Sequence, residues 1–286
     1  MYVSFDEHLH QIITNALHED IGDGDHTTLS CIATAAKGKA VLKVKQAGIL
    51  AGVAVAEAIF KFQEPGCNIA IHIKDGEAVS AGDIAFELEG HVHTILQCER
   101  VVLNTMQRMS GIATLTRKYV DLVKDYPVKL LDTRKTTPGF RLLEKEAVRI
   151  GGGHNHRFAL YDQILIKDNH IDYCGGIDQA LDRAFAYVQK IKPELKIEVE
   201  TRSLQEVELV LKNGKADRIM LDNFSPELLK KAVQLIDKKI ETEASGGIHF
   251  DNIVEYAATG VDYLSIGALI HQAMSIDLSL KAYFPK

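Results

Sequence analysis

The sequence predicts an α/β protein built in two parts, a mixed layer of helices and strands followed by a parallel sheet with helices on both faces. Three observations support this prediction. Strand and helix patterns are intermixed up to residue 108, whereas short apolar strands and amphipathic helices alternate regularly over residues 109–274. Nearly every later strand ends in charged, amide or glycine residues, which is where α/β folds carry their chemistry.

Residues 1–108 are predicted to form the first domain, to which residues 275–286 are expected to return. Apolar residues recur at helical spacing over 5–17 and 53–62. Three segments have the pattern of strands and are separated by turn residues: 39–46, 68–74 and 83–88. Helices and strands in this mixed order are typical of an α+β layer domain.

Residues 109–274 are predicted to form the second domain, a parallel sheet covered on both faces. Helical patterns at 204–211 and 226–236 lie between short apolar strands. These strands are predicted at 128–131, 164–166, 197–199, 219–221, 241–244 and 264–266. Glycines follow the last two strands, whereas an open doubly wound sheet usually has its glycine-rich turn after the first strand. The pattern therefore favours a phosphate-binding barrel.

Cationic side chains cluster between residues 130 and 170. Arg134 and Lys135 directly follow one apolar strand and Lys167 follows the next, so these side chains are expected to point into the mouth of the sheet. The glycine run 151–153 offers a backbone that an anion can approach closely. Arginine forks match carboxylate or phosphate oxygens, and lysine acts as a mobile point charge. The cluster predicts a site for a substrate with several anionic groups; the alternative is a solvated basic face.

Two carboxylates, Glu200 and Asp222, also stand at strand ends. They could act as general acid and base, pair with the cations, or bind a divalent metal through oxygen. Mg²⁺ is favoured if the substrate carries a pyrophosphate, because Mg²⁺ binds one or two carboxylates together with phosphate oxygens. The histidines at 154, 156 and 170 lack the spacing of a zinc motif, so zinc is not predicted.

The acidic segment 19–28 has some likeness to a calcium loop. No frame gives alternating Asp or Asn ligands, then glycine, then glutamate at the twelfth position, so calcium is not predicted. We expect the end of a helix followed by an Asx cap.

The overall composition excludes several protein classes. The formal net charge is −6, with 46% hydrophobic and 25% charged residues, which is ordinary globular composition. This acidic balance argues against nucleic-acid or membrane partners, which need a basic surface. No window holds 18 uninterrupted apolar residues, and we expect a soluble, cytoplasmic protein. Four cysteines without Cys-x-x-Cys spacing predict neither a zinc site nor a disulfide framework.

The sequence resembles the quinolinate phosphoribosyltransferases, also called nicotinate-nucleotide pyrophosphorylases (carboxylating). The resemblance covers about the whole chain, in order, through several long motifs: LHEDIGDGDHTT, ERVVLNTMQRMSGIAT, DTRKTTPGFRLLEKEAVRIGGGHNHR, LIKDNHI, IEVET, IMLDN, EASGGI and YLSIGALIHQA. It implies an N-terminal α/β sandwich and a C-terminal incomplete α/β (TIM-like) barrel. It also implies a homodimer, or dimers assembled into a hexamer.

The implied reaction joins quinolinate to 5-phosphoribosyl 1-pyrophosphate with Mg²⁺, giving nicotinate mononucleotide, pyrophosphate and CO₂ for NAD synthesis. By motif, the two quinolinate carboxylates would be held by Arg100, Arg134, His156, Arg157 and Lys167, and Thr133 would also be a substrate-binding residue. The residue matching Arg100 reaches into the partner's site in this family. Lys135 and Lys167 would also approach the phosphoribosyl donor, and Glu200 and Asp222 would face the ribose and metal. The 5-phosphate would meet the backbone of Ser245, Gly246, Gly247, Ile266, Gly267 and Ala268.

Three other functions remain open at this point. A Schiff-base aldolase or lyase could use Lys167 as its nucleophile on the same barrel. A relative such as the similar protein of molybdate-transport operons could keep the phosphate cradle and use another acceptor. A binding protein could hold a phosphorylated metabolite without converting it. Fold alone does not decide among them.

Overall fold

The fold is described from a computed structural model that covers residues 4–283, and this part of the chain contains twelve strands and eleven helices. The strands are β1 (Lys37–Val44), β2 (Gly48–Ile49), β3 (Asn68–Ile71), β4 (Ala78–Val79), β5 (Ile84–His91), β6 (Lys129–Leu131), β7 (Ile164–Ile166), β8 (Ile197–Thr201), β9 (Arg218–Asp222), β10 (Glu241–Ser245), β11 (Tyr263–Ser265) and β12 (Leu278–Tyr283). The helices are α1 (Phe5–Ile21), α2 (His26–Cys31), α3 (Val53–Gln63), α4 (Val92–Val123), α5 (Arg141–Ile150), α6 (Asp168–Cys174), α7 (Ile177–Ile191), α8 (Leu204–Asn213), α9 (Pro226–Ile236), α10 (Ile253–Ala257) and α11 (Ala268–His271). The predicted α/β class is confirmed.

The chain divides into two units. Within the described residues, the first unit contains 4–117, Thr136–Gly152 and 269–283, and the second contains Lys118–Lys135 and Gly153–Ala268. Residues 136–152, which the sequence assigns to the barrel domain, therefore pack in the first unit. The domain boundary at residue 108 stays a prediction.

The first unit contains an antiparallel sheet in the order β12-β1-β5-β3. Alternate residues of β1, Ala40, Leu42 and Val44, are buried, so this strand has one face in the core. Phe60 of α3 meets Phe86 of β5 edge to face, with ring centroids 6.3 Å apart. The strand β12 pairs antiparallel with β1 and places the end of the described chain in this sheet.

Segment 19–28 of the first unit forms the end of α1 and the start of α2. Gly22 closes α1 at a φ of 55°, and the Asp25 side chain caps α2 by accepting a hydrogen bond of 3.0 Å from the Thr28 N–H. The predicted helix end and Asx cap are confirmed.

The second unit contains six parallel strands in the order β6-β11-β10-β9-β8-β7. The strands from β7 to β11 are neighbours in chain order. The last of them, β11, pairs with β6, the first strand of this unit, as in a barrel. No pairing joins β6 to β7 within residues 4–283, so the ring has one gap. All five residues of β8 are buried, because helices cover one side of a parallel sheet and the opposite side chains fill its interior.

Local capping explains where the predicted helices of this unit begin. The Ser203 hydroxyl accepts from the Glu206 N–H at the start of α8, and Ser225 caps α9 in the same way ahead of Pro226. Gly214 ends α8 in the left-handed conformation at a φ of 71°. The loops that lead from the strands into these helices lie at the carboxyl ends of the strands.

None of the helices over residues 4–283 has the length and apolar content required to cross a bilayer.

Candidate active site

The carboxyl ends of the strands bring the predicted lysines and carboxylates of the second unit together. Asp222 ends β9, directly beside Ser245 in the register of β10. Lys167 follows β7, and its charge opposes the rise that burial causes in the pKa of both Glu200 and Asp222. Lys135 also acts on the pKa of Asp222. The four charged groups therefore share one electrostatic environment.

The surroundings of Glu200 and Asp222 disfavour the charged form of both carboxyl groups. Glu200 is 8% exposed, and burial followed by the charge of Asp222 raises its pKa. Burial also raises the pKa of Asp222, against a hydrogen bond of 2.6 Å that the Asn223 amide donates to Oδ2. A bound divalent cation would relieve both effects, so these two carboxylates fit a hard metal such as Mg²⁺.

Arg134 and Arg157 form a second, cationic centre. Burial and then the nearby charge of Arg134 lower the pKa of Arg157. The Arg157 Nη1 donates to the Gln163 carbonyl at 3.1 Å, while its buried Nε has no hydrogen-bond partner within residues 4–283. Two arginines held close in this way are suited to a carboxylate or phosphate, whose charge offsets their repulsion. The loop that contains Arg134 is fixed by the Lys135 N–H, which donates to the Thr133 hydroxyl at 3.0 Å.

Glycines shape the loop after β10. Gly246 has a φ of 89°, and a Cβ there would lie 2.2 Å from the Asn223 Oδ1, so only glycine lets Asn223 approach and hold Asp222. Gly247 is also left-handed, at a φ of 66°. In the loop after β11, the Ile266 N–H donates to the Leu131 carbonyl at 2.9 Å. In the predicted phosphate-binding backbone at 266–268, the Ile266 N–H therefore already has a partner within the protein.

Two family models match this chain in succession. Residues 25–110 match a model described as "Quinolinate phosphoribosyl transferase, N-terminal domain", and residues 112–281 match "Quinolinate phosphoribosyl transferase, C-terminal domain". The chain belongs to the quinolinate phosphoribosyltransferase family. The family resemblance inferred from sequence is thereby confirmed.

Individual relatives of the quinolinate phosphoribosyltransferase family match over nearly the whole chain. Quinolinate phosphoribosyltransferase (decarboxylating) 1b of Nicotiana tabacum is 43% identical over 285 residues, which cover 94% of this chain and 81% of the relative. The crystal structure of NadC from Streptococcus pyogenes has a TM-score of 0.89 at 39% identity and covers 96% of this chain and 97% of its own. The nicotinate-nucleotide pyrophosphorylase structure from Francisella tularensis has a TM-score of 0.87 at 40% identity, with coverage of 99% and 98%.

Arg100, which quinolinate phosphoribosyltransferases would use in a partner's site, lies on α4 in the first unit. It lines a cavity of about 360 Å³ whose wall also includes Glu19, Asp20 and Arg108. Its side chain is 68% exposed and approaches Glu99 only to 3.9 Å, so the guanidinium is free to reach a ligand. Its role in the site stays a prediction.

His156 lies differently from the other predicted ligands of this family. Its side chain is 6% exposed, and its Nε2 lies 3.2 Å from Glu198 and 3.3 Å from Glu243. Its Nδ1 accepts a bond of 2.7 Å from the Arg157 N–H. Burial lowers its pKa, whereas the hydrogen bonds to the two glutamates raise it. Because Nδ1 accepts, the ring is in the tautomer that carries its proton on Nε2, facing the two glutamates. Both ring nitrogens thus face the protein.

The sequence reasoning missed Glu198 and Glu243, which are fully buried inside the quinolinate phosphoribosyltransferase sheet. Their ligand atoms and the His156 ring lie within 4.8 Å of one another, close enough to surround a cation. Protein donors already occupy one oxygen of each carboxylate: Gln163 reaches Glu198 Oε2 at 2.7 Å, and Arg218 reaches Glu243 Oε2 at 3.0 Å. A hydrogen-bond network accounts for the cluster. One signal was available, because Glu198 stands two residues before Glu200 and so shares its face of the strand.

Proposed function

We propose that this chain transfers the phosphoribosyl group of 5-phosphoribosyl 1-pyrophosphate to quinolinate with decarboxylation, giving nicotinate mononucleotide, pyrophosphate and CO₂ in NAD synthesis. Family membership over both domains supports the reaction. The observation that carries the proposal is the pairing, at one sheet edge, of a cationic centre for carboxylates with two lysines and two carboxylates for a phosphorylated sugar.

The acceptor is a small dicarboxylate, and the cationic residues are proposed to bind it. Arg134 and Arg157 would hold one carboxylate through their guanidinium groups, and Lys167 the other. Thr133 would complete the predicted pocket, and His156 would lie behind Arg157. Arg100 would act in the site of a second copy of this chain, which makes a homodimer, alone or within a hexamer, part of the proposal.

The donor is proposed to lie against the carboxylates and the glycine loops. Glu200 and Asp222 would hold Mg²⁺, which supplies charge neutralisation for pyrophosphate when bound. The backbone of Ser245, Gly246 and Gly247, with that of Gly267 and Ala268, would face the 5-phosphate. A cytoplasmic location stays a prediction.

In the proposed reaction, no side chain has to form a covalent bond with a substrate. The bond between C1 of the ribose and pyrophosphate breaks, and Lys135 stabilises the negative charge that develops on the leaving group. Glu200 and Asp222 stabilise the positive charge that develops on the ribose. The quinolinate ring nitrogen then forms a bond to C1. The resulting pyridinium accepts the electron pair as the adjacent C–C bond breaks, CO₂ leaves, and the ring carbon takes up a proton.

Positioning is therefore the main task of this site. Two polyanionic substrates must meet with the ring nitrogen in line with the leaving pyrophosphate, and fixed cations offset their mutual repulsion. This explains why side chains from four strand ends converge while no residue needs to act as a covalent nucleophile.

An acceptor comparison tests the proposal against its rivals. The purified protein is incubated with the phosphoribosyl donor, Mg²⁺ and either quinolinate or nicotinate, and pyrophosphate release is followed. We expect release with quinolinate only. Release with nicotinate only would assign another acceptor, and tight donor binding without release would indicate a binding protein. A borohydride-trapped adduct on Lys167 with a carbonyl substrate would support the Schiff-base alternative.

A further inference from the structure

We propose that Glu198 and Glu243 are positioning residues for the acceptor site: from inside the sheet they hold the His156 ring, and through it the backbone and guanidinium of Arg157. The inference rests on the proposed function, because it concerns how that site binds a carboxylate. It also assigns His156 an indirect role in place of a direct contact with the substrate.

The two glutamates reach His156 from different strands. Glu198 of β8 and Glu243 of β10 both contact the same ring nitrogen, at 3.2 and 3.3 Å. Neither glutamate has any exposed surface, and the His156 side chain is 6% exposed. Burying two carboxylates costs folding free energy unless they have partners. Glu198 and Glu243 therefore need a specific arrangement of neighbours.

Further side chains hold the glutamates themselves. Arg218 donates to Glu243 at 3.0 Å, and the Ser265 hydroxyl also donates to Glu243. The Gln163 amide donates to Glu198 at 2.7 Å. The network therefore connects β8, β9, β10 and β11 with the residue just before β7, and it defines the position of the ring from several sides.

His156 transmits this position to Arg157. The Arg157 N–H donates to the ring Nδ1 at 2.7 Å, and the His156 N–H donates to the buried Asp132 carboxylate at 2.9 Å. The backbone entering Arg157 is thus fixed by two side chains. This segment lies beside β6, where His154 pairs with Leu131 next to the gap in the sheet.

Glu198 acts on Arg157 by a second route. Arg157 donates through Nη1 to the carbonyl of Gln163, whose side chain is held by Glu198. The guanidinium lies near Arg134, whose like charge repels it. An arginine held next to another arginine needs external support to keep its geometry before an anion arrives. The buried glutamates supply that support.

A direct contact between His156 and quinolinate fits the geometry less well. One ring nitrogen accepts from a backbone N–H and the other faces two carboxylates, so a substrate carboxylate would have to displace an existing partner. It would also approach the Glu243 carboxylate, which carries the same sign of charge. The ring is better placed to support Arg157 than to bind an anion.

Steady-state kinetics of Glu243→Gln tests the inference. We expect the KM for quinolinate to rise about tenfold, the effect of weakening one charge-assisted hydrogen bond. The KM for the phosphoribosyl donor and kcat should stay within about twofold, because the network supports only the acceptor side. The amide ¹H–¹⁵N signal of Arg157 should shift in the ligand-free variant, since its acceptor moves.

Glu241→Gln is the matched control. Glu241 lies on the same strand and binds the same arginine, at 3.0 Å, but its side chain is 54% exposed. We expect its KM values to match those of the wild type. Ser265→Ala gives a milder change at Glu243 if the glutamine variant does not fold, with an expected two- to threefold rise in the KM for quinolinate.

The outcomes separate this inference from the proposed function. A wild-type protein that does not convert quinolinate refutes the proposed function. An active wild type whose Glu243→Gln and Ser265→Ala variants keep the wild-type KM for quinolinate refutes the positioning role alone. An equal rise in both KM values would also overturn it, because that pattern indicates general loosening of the sheet.

Discussion

Replacing Gly246 with alanine should disturb Asp222 through its neighbour Asn223. The new Cβ would lie 2.2 Å from the Asn223 Oδ1, 2.6 Å from its Cγ and 3.0 Å from its backbone nitrogen. That nitrogen donates to the Ser245 carbonyl at 2.8 Å, and the Asn223 amide donates to Asp222 at 2.6 Å. The side chain of Asn223 must therefore move, and the bond to Asp222 is lost.

The magnitude follows from comparison with Gly247→Ala. Both glycines have left-handed backbone, which costs an alanine about 1–2 kcal/mol, but a Cβ on Gly247 meets nothing within 4 Å. Gly246→Ala adds the loss of a hydrogen bond to a charged group, about 1.5 kcal/mol at this half-buried position. The extra cost lowers the melting temperature by about 3–6 °C relative to Gly247→Ala.

Thermal unfolding of both variants by scanning calorimetry, with and without Mg²⁺, measures this difference. Both should bind the phosphoribosyl donor more weakly, but only Gly246→Ala should require more Mg²⁺ for activity, since Asp222 is displaced. Equal melting temperatures for the two variants would refute the reasoning that Gly246 exists to admit Asn223.

Other variants test the rest of the site. Lys135→Ala and Glu200→Ala should each lower kcat by about 10²–10³-fold while circular dichroism shows an unchanged fold, and near-wild-type turnover would remove that residue from the mechanism. Asp222→Asn should raise the melting temperature of the Mg²⁺-free protein at pH 7–8: burial raises the pKa of this carboxyl, so its ionisation destabilises the fold as pH rises through the folded pKa. The gain should vanish near pH 4, and a gain that persists there would contradict this cause. Mixing Arg100→Ala with Lys167→Ala subunits should restore part of the activity, because one of the two sites in a heterodimer is intact; no recovery would count against a shared site.

The sequence predicted the strands of the second unit to within one or two residues at each end. Strands such as 164–166 are buried on both faces and therefore read as short apolar runs between polar loops. The short strands β2 and β4 were missed, because two residues give no periodicity.

The chemistry at strand ends was easier to predict than the interior of the sheet. Lys167 and Asp222 stand out because charged residues directly follow apolar strands. Acids instead alternate with other residues in IEVET and ETEAS, the segments that hold Glu198 and Glu243, and in a half-exposed strand this pattern places the acids in solvent. Only the curvature of the sheet, with β11 paired to β6, turns those positions into an enclosed interior. Contacts such as His156 with both glutamates depend on this long-range pairing and leave no local signal.

The most direct test of the central claim is the stoichiometry of conversion of quinolinate labelled with ¹³C in its 2-carboxylate. We expect nicotinate mononucleotide, pyrophosphate and labelled CO₂ to appear in equal amounts, and only when protein, phosphoribosyl donor and Mg²⁺ are all present. Pyrophosphate release without labelled CO₂, or no conversion of quinolinate by the folded protein, would contradict it.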